Sequence, residues 1–255
     1  MTYLTRNKLK KKLDSWLLPQ NYNDITENGL QIEGNRQINK IICATSISLK
    51  LIEKTIKEQA NTIFVHHGLF WKNDLIKLDG NIKRRIKKIL SHNINLFAYH
   101  LPLDAHKTLG NNAQILIALK ITEQIKPFGF FAGQKIGFIG SLKKSIKILA
   151  FLEHVTKIIA KPNFVFLAKK KTIKRIAICS GGAAQMFNEA VRVGADLYLT
   201  GEAAECSQEI ANENKVAFIA AGHYATETFG VKKIAQKLKQ TFNINTKFVN
   251  IPNPV

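Results

Sequence analysis

Apolar positions along this chain follow two alternating spacings. Short β-rich runs occur at KIICAT (from Lys40), IFV (from Ile63), NLFAY (from Asn95), RIAIC (from Arg175), LYL (from Leu197) and VAFIAA (from Val216). Between them the apolar residues fall three or four apart: Leu49, Ile52 and Ile56 in one segment, Phe187, Ala190 and Val191 in another. That spacing puts them on one face of a helix. The segment NIKRRIKKILSHN turns its basic residues to a solvated face, and MTYLTRNKLKKKLDSWL reads as an amphipathic first helix. Strands that alternate with helical segments predict βαβ layers, with parallel or mixed sheets covered by helices. The tail NIPNPV predicts an extended end, because proline cannot continue a helix.

The pattern repeats. KIICATSISLKLIEKTIKEQANTIFVHHG, from Lys40, lines up with RIAICSGGAAQMFNEAVRVGADLYLTGE, from Arg175, as strand, turn, helix and second strand, the last entered through Ala-Asn or Ala-Asp. INLFAYHLPLD, from Ile94, then matches VAFIAAGHYATE, from Val216. A Gly-punctuated stretch, GFFAGQKIGFIG, lies between the copies. The expected division is therefore a first α/β repeat over 1–126 and a second over 127–255.

Candidate chemistry collects at the ends of these strands, where loops leave an α/β core. His66 and His67 follow Ile63-Phe64-Val65, His100 and Asp104 follow Leu96-Phe97-Ala98, and His223 and Glu227 follow Phe218-Ile219-Ala220. Neighbouring strand residues point to opposite faces, so His66 and His67 cannot both serve one packed core. Imidazoles and carboxylates converging on one crevice form a donor set suited to divalent transition metals. Taken singly, a histidine at a strand end is more often a hydrogen-bonded structural residue than a ligand. His92, His106 and His154 have no matched partners and read as surface residues. The turn SGGAAQ, from Ser180, suits a phosphate cradle at a helix start or a tight βα turn that needs glycine for steric reasons.

Composition narrows the class without choosing the chemistry. With 255 residues and 45 % hydrophobic content the chain can build one large or two ordinary cores. No apolar stretch approaches the roughly 20 residues a bilayer span needs, so no membrane partner is expected. Three cysteines far apart, Cys43, Cys179 and Cys206, without a CxxC pair, fit a reducing, cytoplasmic setting rather than a disulfide framework. The formal charge of +20 attracts polyanions, nucleic acid among them. It fits better a chain rich in Lys, Ile and Asn throughout, with its lysines scattered over solvated surfaces rather than gathered on one.

HHGLFW, AYHLPLDAH, TGE, AGHYATE, the early ENGLQIEG and the terminal IPNP together resemble the GTP cyclohydrolase I type 2 homologues, the NIF-three-like family, and within it the bacterial YbgI subgroup. The resemblance runs over essentially the whole chain. It implies two interlinked α/β repeats with mixed sheets, a metal cleft between them, and a toroidal homohexamer. It also implies two divalent ions, with His67 and Asp104 on one, His66 and His223 on the other, and Glu227 touching both. His100 and Glu202 then fall to supporting or proton-relay roles. Three histidines and two carboxylates suit zinc, iron, manganese or nickel. The activity implied is metal-dependent hydrolysis of a nucleotide or related phosphorylated heterocycle, in the family's name the ring opening of GTP. A ring-shaped protein that binds metal without catalysis, associates with nucleic acid or delivers metal is the alternative. Many relatives carry an Asp after the first strand where this chain reads ATSIS, so that loop receives no role.

Overall fold

The computed structural model describes residues 3–72 and 77–255. By their contacts they divide into two compact units, 1–103 with 231–251, and 104–230 with 252–255.

The first unit opens with α1 (Arg6–Leu17), capped by the Thr5 hydroxyl, which accepts from the Lys8 amide at 3.3 Å; Leu9, Leu13 and Leu17 are its buried face. There follow β1 (Gly29–Ile32), β2 (Lys40–Ser46), α2 (Leu49–Lys57), β3 (Thr62–His67), α3 (Gly80–Ser91) and β4 (Asn95–Ala98). The sheet order is β1-β4-β3-β2 with one further strand from the C-terminal region beside β2. Strands β2, β3 and β4 are parallel, while β1 runs antiparallel to β4. β4 is buried along its whole length and β2 through five central residues, which explains runs that are apolar at every position rather than alternating. Leu51, Ile52 and Ile89 of the two helices share a core with Ile42, Ile63, Val65 and Leu96.

The chain enters the second unit within α4 (Leu101–Ala105) and continues through α5 (Asn111–Ala118), β5 (Glu123–Phe131), β6 (Gln134–Lys147), α6 (Ile148–Ile158), β7 (Phe164–Phe166), β8 (Thr172–Ile178), α7 (Phe187–Arg192), β9 (Leu197–Thr200), α8 (Ser207–Asn214), β10 (Ala217–Ala220) and α9 (His223–Thr226). Its sheet has the order β5-β6-β8-β9-β10-β7. Here β8, β9 and β10 form the parallel triplet, and β7 adds antiparallel to β10 as β1 does to β4. The Gly-punctuated middle is an antiparallel hairpin, β5–β6, turning through Ala132 (φ +48) and Gly133 (φ +88).

α10 (Thr228–Phe242) then leads back to β11 (Asn245–Phe248), which pairs parallel with β2. The expectation of mixed α/β sheets built on two βαβ triplets agrees with this architecture. By contacts the chain passes from the first unit to the second at 103/104, and residues 231–251 rejoin the first unit because the final strand pairs with β2.

Candidate metal centre

In the first unit β3 ends in His66 and His67, and the turn after β4 carries His100. Their rings lie 4.6 Å (His66–His67), 5.0 Å (His66–His100) and 5.6 Å (His67–His100) apart between centroids. One ligand-type nitrogen from each lies within 4.8 Å of the other two. His66 is fully buried, and its Nδ1 donates to the Tyr99 carbonyl at 2.9 Å. A carbonyl only accepts, so Nδ1 carries the hydrogen and Nε2 carries the lone pair. His67 Nδ1 is 2.9 Å from the Ser46 hydroxyl, at the matching end of β2. His100 Nδ1 donates to Asp24 Oδ1 at 2.8 Å.

Asp24, 3 % exposed, also accepts from the Asn28 amide and the Leu101 backbone N–H, while Asn28 Oδ1 accepts from the His100 backbone N–H. Burial works to raise the Asp24 carboxyl, but the hydrogen bond and electrostatic pull of His100, with those two further donors, outweigh it and hold the carboxyl below its ordinary value. Trp71 stands edge-on to His100 at 5.2 Å and 5.8 Å from His67.

In the second unit the carboxylates gather with His223. Asp104, 5 % exposed, accepts at Oδ1 from Asn111 Nδ2 (2.8 Å) and the Ser180 hydroxyl (3.2 Å). Glu227, 3 % exposed, brings Oε2 to 3.1 Å from His223 Nε2, and Glu202 accepts from His223 Nδ1. Burial opposes a charge on His223, yet the two carboxylates overcome it and push its pKa up to about 9. This environment favours a cation.

The SGGAAQ turn is built around these groups. Gly181 has φ +68, and a Cβ there would come within 2.3 Å of Glu227 Oε1. Its N–H donates to Thr226 Oγ1 at 3.0 Å, and its carbonyl accepts from Thr200 Oγ1 and the Gly201 N–H. Of the two readings left open for this turn, the geometry carries the steric one.

Sequence reasoning singled out His66, His67, His100, Asp104, Glu202, His223 and Glu227. Within the first unit the structure brings His66, His67 and His100 together, and within the second Glu202, His223 and Glu227. The carboxylate that holds the His100 ring is Asp24, seventy-six residues away in sequence, and the Asp104 carboxylate is held by Asn111 and Ser180. Asp24, Asn28, Ser46, Asn111 and Ser180 were missed. ENGLQIEG contains Asn28 but received no chemistry, and no spacing could pair a polar loop residue with a strand end so far along the chain. His92 is exposed as expected, whereas His106 is half-buried, its Nδ1 accepting from the Leu109 N–H at 3.0 Å.

The donor chemistry fits divalent metal. Four imidazoles, His66, His67, His100 and His223, each have Nδ1 set against an oxygen, the arrangement that fixes ring orientation and tautomer in metal sites. Two mixed α/β sheets with metal-type groups at their strand ends define an α/β protein with candidate metal-binding sites.

The family comparison is direct. Residues 4–254 match the model of the Duf34/NIF3 (NGG1p interacting factor 3) family, and the chain belongs to that family. It is 40 % identical over 233 residues to a Neisseria meningitidis protein named GTP cyclohydrolase 1 type 2 homolog, covering 91 % of this chain and 92 % of that one. It is 39 % identical over 251 residues to a Pyrococcus horikoshii protein of the same name, covering 98 % and 99 %. Among solved structures it is similar to protein ybgI (TM-score 0.93, 31 % identity, 99 % of this chain and 100 % of that one) and to a Thermus thermophilus protein, TTHA1606 (TM-score 0.88, 30 % identity, 99 % and 100 %).

Proposed function

We propose that this protein is a dinuclear metal-dependent hydrolase acting on a nucleotide or a related phosphorylated heterocycle, with GTP ring opening as the specific activity. The observation that carries the reading is the set of four imidazoles whose Nδ1 atoms are held by Tyr99, Ser46, Asp24 and Glu202. A packed core does not call for that degree of orientation in so many rings.

His67 and Asp104 would hold one ion and His66 and His223 the other, and Glu227 would contribute to both. When bound, such ions would lower the pKa of a water and polarise the bond under attack. His100, fixed through Nδ1 by Asp24, or Glu202, hydrogen-bonded to His223 Nδ1, relays protons. The names of the relatives and the +20 charge, which gathers anionic substrates, favour a nucleotide. Zinc, iron, manganese and nickel all suit the donors. A toroidal homohexamer, a cytoplasmic setting and the duplication at 126/127 belong to the same proposal. Among the described residues no helix is long and apolar enough to cross a membrane.

Elemental analysis of the native protein with a nucleotide-panel assay tests this, repeated on a His67→Ala, Glu227→Ala double variant. The expected outcome is about two divalent ions per chain, near-complete loss in the variant and metal-dependent turnover of at least one nucleotide. Equal turnover by the metal-free variant would sink the reading. The same charge favours a second reading, a metal-binding assembly protein that associates with nucleic acid or delivers metal; reversible metal release without conversion of any nucleotide would support it.

A further inference from the structure

The second unit carries a basic cleft that the proposed metal chemistry does not use. It has a volume of about 1070 Å³ and takes its charge from Lys169, Lys170, Lys171, Lys174 and Lys215. Its carboxylate, Asp196, is committed to protein contacts: it accepts from Lys170 Nζ at 2.8 Å and from the backbone N–H groups of Lys174 and Arg175 at 2.9 Å. Lys169, Lys171, Lys174 and Lys215 are exposed.

The turn between β7 and β8 presents them in an uncommon way. The Lys170 N–H donates to the Leu167 carbonyl at 2.9 Å across Ala168 (φ +51) and Lys169 (φ +57). Two successive positive φ values are what glycine and asparagine normally supply, so Ala-Lys is a costly choice for a turn that only needs to close. Lysine there puts an ammonium at the tip of the turn.

We propose that this cleft binds the phosphodiester backbone of a nucleic-acid strand without reading its sequence. Its cationic side chains are all lysines, point charges suited to successive phosphates rather than the bidentate fork of arginine. No aromatic side chain lines it among the described residues, so it offers no platform for stacking bases. The cleft is wider than one phosphate group requires, and its charges are spread along a turn, a strand and the end of α8. An extended polyanion matches that layout.

The test is fluorescence anisotropy of a labelled oligothymidylate of about 20 nucleotides, titrated with the full chain between about 50 and 200 mM KCl. A variant carrying Lys169→Gln, Lys171→Gln, Lys174→Gln and Lys215→Gln is compared with one of equal charge carrying Lys8→Gln, Lys11→Gln, Lys83→Gln and Lys87→Gln, exposed positions on α1 and α3. Single strands contribute a slope of about 0.7 in log affinity against log salt per phosphate neutralised, so the cleft variant loses about 3 units of slope while the control keeps the native value. Equal losses in both variants would assign binding to the general field and overturn the proposal, as would no binding at the lowest salt. Tripolyphosphate that competes as well as the strand at equal phosphate concentration overturns the extended-strand assignment. Circular dichroism confirms that both variants fold, and native binding by the His67→Ala, Glu227→Ala variant keeps this result separate from the metal reading.

Discussion

The two parallel triplets, β2-β3-β4 and β8-β9-β10, share a frame but finish their strands differently. At the end of β3 stand His66 and His67, whose imidazoles join the cluster; the aligned positions after β9 are Gly201 and Glu202. A Cβ at Gly201 would lie 2.6 Å from His223 Cα and 2.7 Å from the Gly181 carbonyl, so this strand end gives up a side chain to let the next backbone close in. One repeat supplies donors from β3 itself. The other uses the same position as a seat for His223 and Glu227. The two copies send the backbone along matching paths and differ in which side chains stand where the strands end.

A second matched pair lies at the opposite ends of the strands. Asn61 Oδ1 accepts from the Asn39 N–H at 3.2 Å, and Asp196, the aligned residue, accepts from the Lys174 N–H at 2.9 Å. The same clamp joins neighbouring strands in both copies, neutral in one and charged in the other.

The largest effect is expected from Gly201→Ala. All three atoms nearest the new methyl are backbone, so overpacking is expected to cost about 3 kcal/mol in urea unfolding; a loss below about 0.5 kcal/mol would show that no close approach is required there.

Next come the oxygens that orient the imidazoles. Glu202 holds His223 and Ser46 holds His67. Charged hydrogen bonds are about twice as strong as neutral ones. Glu202→Gln is therefore expected to weaken metal affinity by about 100-fold and Ser46→Ala by about 10-fold, the two ends of the range for such supporting groups. Competition with a chromophoric chelator measures both, and the reverse order would remove the charge argument.

The smallest effect concerns the clamp. Burial acts to raise the Asp196 carboxyl, but the Arg175 N–H, the Lys170 ammonium and the Lys174 N–H together hold it below its ordinary value. A carboxyl lowered on folding contributes stability that is fully present above its unfolded pKa of about 3.9 and is lost as pH falls through the folded value. Asp196→Asn, which gives the second copy the chemistry of the first, is expected to cost about 1 kcal/mol at pH 7. The gap should close as pH falls through the lowered folded value. Asn61→Ala should show no such pH dependence between about pH 3 and 7, and parallel behaviour of the two variants in urea melts would contradict the charged clamp.

Much of the frame was legible in the chain. The runs at Lys40, Ile63 and Asn95 and their counterparts at Arg175, Leu197 and Val216 became the six strands of the two triplets, because a strand buried on both faces must be apolar at consecutive positions. The hairpin β5–β6 was visible only as glycine punctuation, since residues 123–127 of its edge strand are exposed and carry no apolar run. The return of β11 to β2 was invisible: NTKF alternates weakly and lies more than two hundred residues from its partner.

By itself the amino-acid sequence determined the strand cores, the duplicated order of elements and which titratable residues would stand where strands end, because burial and periodicity are local properties. Only the tertiary structure decided which oxygen holds each imidazole, why Gly181 and Gly201 must lack side chains, and where the last strand pairs. Those outcomes depend on atoms brought within about 3 Å of one another from distant parts of the chain, the range over which hydrogen bonds and steric exclusion act and which no spacing along a sequence encodes.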